Sequence, residues 1–166
     1  MVGSVEALLD PDAVKMFEKF KIFTKAELAS RAEILYETYS KSINIEAHTM
    51  MDMMGKQIMP AAMRYAGMLA KDAREVAEAG ADASVLTGSL KKGTALITEM
   101  QAAYEKLKED TKKAAAIGNN KEQAVFYRDV VCADMAALRA PADALEMMVD
   151  KEVWPIPTYG DLLFEV

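Results

Sequence analysis

From Thr24 to Ala79 the chain has no obvious place to turn. Leu28, Ala32, Leu35, Tyr39, Ile43, Ala47, Met50, Met54, Ile58, Ala61, Tyr65, Met68 and Val76 recur along it at the three- and four-residue steps of one helix face. Loop composition does not appear until Gly80. At 1.5 Å per residue, a helix over 25–79 would be roughly 80 Å long, so the rest of the chain must be arranged around it. Its start is marked by Thr24-Lys25-Ala26-Glu27, a capping box in which Thr24 serves the Glu27 amide and Glu27 reaches back. Phe23 and Leu28 occupy the staple positions on either side. Pro60 lacks a donor and crowds the turn before it, which predicts a kink.

Composition agrees with an all-α chain. Alanine, the best helix former, occurs 28 times, against eight glycines and five prolines. Asp10-Pro11 predicts a short N-terminal helix within 1–23, burying Val14, Phe17 and Phe20. Residues 80–88 read as a connection. A third helix follows, with Leu90, Ile97, Met100, Tyr104, Leu107, Thr111 and Ala114 on one face and Glu109–Lys113 as an exposed pair. Gly118 and Asn119-Asn120 make a tight turn, with Gln123 just beyond, so the fourth helix is an antiparallel neighbour of the third. It carries Tyr127, Val131, Met135, Leu138, Leu145 and Val149, with a bend expected at Pro141. The expected architecture is a single helical domain, 1–166, with a long-helix bundle over 24–151. Residues 152–166 form an extended Trp/Pro tail in which Thr158 caps a last turn.

Lengths make a further demand. Two helices of about 30 residues reach only ~45 Å along the long one, enough for residues near 50–79 but not also 28–47. Something outside the chain is therefore expected to bury Leu28, Leu35, Tyr39 and Ile43. Met50 and Met54, and in the tail Trp154, Tyr159 and Phe164, complete the expected interface. On this reading Leu35→Asp and Tyr39→Asp weaken association and leave helicity nearly intact.

Chemistry is sparse. The net charge is −6 with no basic block, which argues against nucleic acid and an anionic membrane as partners. Apolar runs are short and broken by charge, so no bilayer span is expected. The absence of a signal-like start and a single Cys132 fit a cytoplasmic protein. His48 and Asp52 have a spacing that could share a metal, yet a firm zinc site wants at least three protein ligands. His48 reads instead as a surface or interface residue bonded to a carboxylate. The seven methionines of 50–68 read as adaptable packing in preference to a Cu(I) site. Cys132 has no base at motif spacing and reads as a buried thiol. Arg128, Asp129 and Arg139 read as ion-pairing residues without a phosphate-binding loop. No catalytic, cofactor-binding or metal-ligating residue is assigned.

Several stretches carry a family resemblance. They are Ser30-Arg31-Ala32-Glu33-Ile34 running on to Ile43-Asn44-Ile45-Glu46-Ala47-His48-Thr49-Met50, then Gln57-Ile58-Met59-Pro60-Ala61, and Phe126-Tyr127-Arg128-Asp129 with Leu138-Arg139-Ala140. The ending Trp154-Pro155-Ile156-Pro157-Thr158-Tyr159-Gly160-Asp161-Leu162-Leu163-Phe164 is the most telling. From about Asp10 to Val166 the chain resembles the C-terminal helical region of type III glutamine synthetase. That family joins ammonia to glutamate with ATP and divalent metal, through an acyl phosphate, in a ring-shaped oligomer. The resemblance implies that ATP and metal belong to a catalytic region upstream of the segment resembled, so no catalytic residue is carried over. It further implies a structural and assembly domain, excised from its parent ligase, whose partners are that catalytic region and other copies. The other reading is a free-standing interaction module that binds a helix in a Met-rich groove.

Overall fold

The computed structural model describes residues 2–157 and 159–164, and among them there is helix but no strand. The helices are α1 (Val2–Leu8), α2 (Pro11–Lys19), α3 (Lys25–Met53), α4 (Met59–Glu78), α5 (Ser84–Ala115), α6 (Asn120–Phe126), α7 (Cys132–Glu146) and α8 (Tyr159–Phe164). A π-helical turn, Met54–Ile58, joins α3 to α4, and a second, Tyr127–Val131, joins α6 to α7. Helical conformation is therefore unbroken from Lys25 to Glu78, and the fold class is all-α, as the composition predicted.

Where the sequence carried cap chemistry, the ends fall as expected. Asp10 accepts from the amides of Asp12 and Ala13, with Pro11 at the first helical position of α2. The Glu27 amide donates to Thr24 Oγ1 at 3.3 Å and the Thr24 amide donates to Glu27 Oε2 at 2.7 Å, closing both halves of the capping box. These bonds from Thr24 hold the Glu27 carboxyl below the usual range. A depressed carboxyl contributes stability above its unfolded pKa and loses it as pH falls through the folded one. Thr24→Ala should lower Tm by about 2–4 °C at neutral pH. The deficit should shrink toward about pH 3 as Glu27 protonates. Thermal melts at the two pH values check this.

The end of α2 has a form that the sequence did not announce. The Ile22 amide donates to Phe17 O at 3.0 Å and the Lys21 amide to Glu18 O at 3.0 Å, the bond pair of a Schellman motif. Its left-handed position is held by Lys21, at φ 54°, where glycine is usual because a Cβ is disfavoured there. Lys21→Gly should stabilise the chain by about 1 kcal/mol, which would show as a raised denaturation midpoint.

Other expectations need correction. The N-terminal region holds two helices, and α1 was not foreseen. Phe20 is 65% exposed, and α2 has no buried residue. The connection expected over 80–88 shrinks to 80–83, because Asp82 accepts from the Ser84 amide at 2.8 Å and so sets up α5 immediately. At the turn after α5, the N-cap of α6 is Asn119, accepting from the Glu122 amide. Gln123 instead reaches back across the turn and donates to Ala114 O, near the end of α5, and to Ile117 O in the turn itself. Pro60 and Pro141 both lie within helical conformation. The π turn directly precedes Pro60, and the Met59 amide bonds Met54 O five residues back, which widens the helix where the ring would crowd it. Pro141 lies fully buried inside α7.

The contacts of the chain gather in two compact units, one made of the chain up to His48 with Leu107–Met135, the other of Thr49–Lys106 with the chain from Ala136 on. In the first, Val2 and Val5 of α1, Ala32 and Tyr36 of α3 and Ala124 of α6 form a core cluster, with Leu35, Tyr39 and Val125 against it. In the second, Met54, Ile58, Met59, Ala61, Ala62, Leu69, Met100, Leu138 and Leu145 are buried. Gly55 admits Tyr104 so closely that a Cβ there would lie 3.2 Å from the Tyr104 hydroxyl.

Candidate functional site

The residues expected to await a partner are largely used by the chain itself. Leu28 is 1% exposed. Leu35 and Tyr39 pack on the cluster built by α1, α3 and α6, and Ile43 is half-buried. The length reckoning failed because α1 exists and because the end of α5 and all of α6 belong to the same unit as residues 28–47. Asn120 of α6 donates to Glu33 Oε2 at 2.8 Å, and the Tyr127 hydroxyl, pushed up in pKa by burial, donates to Asn44 Oδ1 at 3.0 Å. Leu35→Asp and Tyr39→Asp would therefore strike the fold, and they cannot report on association alone.

In the second unit, Met54 is 5% exposed and Met50 half-buried. The methionines divide: Met54 and Met59 are buried, while Met63 and Met68 are about half-exposed. Trp154 is half-buried, its amide bonded to Asp150 O at 2.9 Å and its indole N–H buried without a hydrogen-bond partner. Residues 154–157 carry no helix, as expected, and the ion pair Lys151–Asp161 at 2.5 Å ties α8 back to the segment before them. Leu162 is 68% exposed. The side chains of Tyr159 and Phe164, and all of Thr158, lie outside the described residues.

The groups weighed for chemistry are tied to structural partners. His48 is exposed, and its Nδ1 lies 2.8 Å from Asn44 O. Its partner is a backbone carbonyl and not the carboxylate foreseen, since Asp52 pairs with Lys56. Cys132 is half-buried with its Sγ 4.0 Å from the Tyr39 hydroxyl, and burial is the main cause of that phenol's raised pKa. Arg128 pairs with Asp129 at 2.6 Å and Arg139 with Asp143 at 3.1 Å. Among the described residues no group of three His, Cys, Asp or Glu side chains is placed to hold a metal ion. No helix among them is long and apolar enough to cross a membrane.

What remains available is apolar surface. Ile34 and Ile45, at 57% and 65% exposure, lie eleven residues apart on α3, three helical turns, and so share a face. Leu9, Met16, Phe20 and Ile22 are exposed around α2, and Met147, Leu162 and Leu163 near the other end. Periodicity passed over Ile34 and Ile45 because it finds the face that is buried, and they lie off it.

Residues 1–77 match the family described as the glutamine synthetase C-terminal domain. A glutamine synthetase of Butyrivibrio fibrisolvens is 38% identical over 95% of this chain, and one of Bacteroides fragilis is 30% identical over 87%. A type-3 glutamine synthetase of Dictyostelium discoideum is 27% identical over 91%. The chain spans only 23%, 21% and 21% of the length of these relatives, respectively. Residues 1–77 thus carry the match to the glutamine synthetase C-terminal domain, and most of the chain is similar to these relatives.

Proposed function

We propose that these residues serve as a non-catalytic structural and assembly domain of a type III glutamine synthetase, a cytoplasmic ligase that joins ammonia to glutamate with ATP. The observation that carries this reading is the contrast in coverage. Relatives named as glutamine synthetases align along 87–95% of this chain, yet the chain accounts for only 21–23% of their length. ATP, glutamate and divalent metal would then be handled by the rest of the polypeptide. The domain would act by burying helix faces against that catalytic region and against other copies, and the face bearing Ile34 and Ile45 is available for it.

The test is the size of the native polypeptide in source-cell lysate, read with an antibody raised against this chain. A band several times heavier than 18.2 kDa is expected. A band at 18.2 kDa would overturn the reading in favour of a free-standing helical module.

A further inference from the structure

Two exposed patches of opposite charge, one in each compact unit, match each other in chemistry. With Lys15 paired to Asp12, the charges at the end of α2 and just beyond it are Lys19, Lys21 and Lys25 against Glu18, in a chain whose net charge is −6. Here Met16, Phe20 and Ile22 are 47–65% exposed. Lys19 Nζ sits 5.8 Å from the Phe20 ring centre, and Lys21, in its left-handed position, is exposed. Residues 143–152 are the reverse: with Asp143 paired to Arg139, Glu146, Asp150 and Glu152 stand against Lys151. Met147 is 86% exposed there, and Leu162 and Leu163, at 68% and 70%, follow Asp161, which pairs with Lys151.

Apolar residues rimmed by charge are the make-up of a protein contact, and opposite charges favour encounter while discouraging like-with-like pairing. Glu146 and Glu152 are exposed, as are Lys19 and Lys21. A lysine in a left-handed position where glycine would be easier costs stability, which makes sense if its charge is used.

We propose that the basic, apolar surface around α2 docks on the acidic, apolar surface around Glu146–Glu152 and α8 of a second copy of this chain. The contact is heterologous, patch to different patch. It rests on the assembly reading above and adds to it the two surfaces that meet.

The experiment is sedimentation velocity of the 166-residue chain up to about 100 µM, the range a small contact supports. Helicity is followed by circular dichroism. Association is expected, weakening about tenfold or more on raising the salt concentration from about 0.05 to about 0.5 M. Lys19→Glu/Lys21→Glu and Glu146→Lys/Glu152→Lys should each abolish it with helicity retained. Mixing the two variants should restore it, because each then meets its opposite. A wild-type chain that stays monomeric would overturn the proposal, as would association indifferent to salt or to both variants. Monomers that instead sediment with anionic phospholipid vesicles, and lose this with Lys19→Glu/Lys21→Glu, would reassign the basic patch to lipid. If a variant fails to fold, the salt series on the wild type decides. None of these results alters the native band size, so the domain reading stands or falls separately.

Discussion

Tyr36→Ala should remove about 3–5 kcal/mol of stability, while Tyr36→Phe should cost nothing and raise stability by up to about 1 kcal/mol. Tyr36 is 1% exposed and packs among Val2, Val5, Ala32 and Ala124. Truncation leaves a cavity the size of a ring between α1, α3 and α6, and rigid helices close such a space only in part. The hydroxyl is different. It is buried without a hydrogen-bond partner, so the folded state has lost its hydration without replacing it. Burial also pushes the phenol pKa up, as expected for a group that cannot ionise cheaply there. Denaturant titrations of the two variants, followed by circular dichroism, separate the ring from its hydroxyl. A Phe variant as damaged as the Ala variant would mean that the hydroxyl is satisfied after all.

The second large effect is expected at the start of the chain. Val5→Asp should detach α1 and cost about 2–4 kcal/mol. Val2 and Val5 are 2% and 4% exposed, and each buried valine contributes about 1.5–3 kcal/mol before the entropy of ordering the helix is subtracted. A carboxylate cannot enter that site without a partner, so the cheaper response is undocking, which caps the loss at what α1 supplied. Undocking also breaks the Glu6–Lys121 ion pair, seen at 2.8 Å between exposed side chains. Hydrogen exchange should then reach Ala32, Tyr36 and Ala124 while α7 stays protected. Unchanged protection at these three amides would show that α1 contributes little.

The class of the fold and most helix ends were legible because they are written in local chemistry. Asp10, Thr24, Glu27 and Asn119 act within three residues of themselves. What escaped was not local. α1 offers only seven residues and two buried valines, too short a stretch for periodicity to register. Without α1, and with the third and fourth helices assigned elsewhere by length alone, Leu35 and Tyr39 looked bare. The candidate interface was consequently placed on residues that the chain covers itself, and the exposed isoleucines of α3 were passed over. The buried file of α3 also runs through Tyr36 and Ser40, not through Leu35 and Tyr39, because coverage comes from two sides.

Further along, the expected stripe slips by one residue. Met68 was placed inside and is 47% exposed, whereas Leu69 is 7% exposed. Ile58, in the π turn Met54–Ile58, and Ala61 beyond it are buried as expected, so the slip is local to this position. A turn closed by bonds five residues back contains one residue more than an α turn.

That same turn sets how this helix tolerates insertions and deletions. Elsewhere in α3 or α4, losing one residue would rotate everything downstream by about 100° and turn the buried face toward water. Within Met54–Ile58, dropping the exposed Lys56 would let the widened turn relax into an ordinary one. Ile58, Ala61, Ala62 and Leu69 would keep their side of the helix. It is the one place between Lys25 and Glu78 where the chain can become a residue shorter without its buried face changing direction.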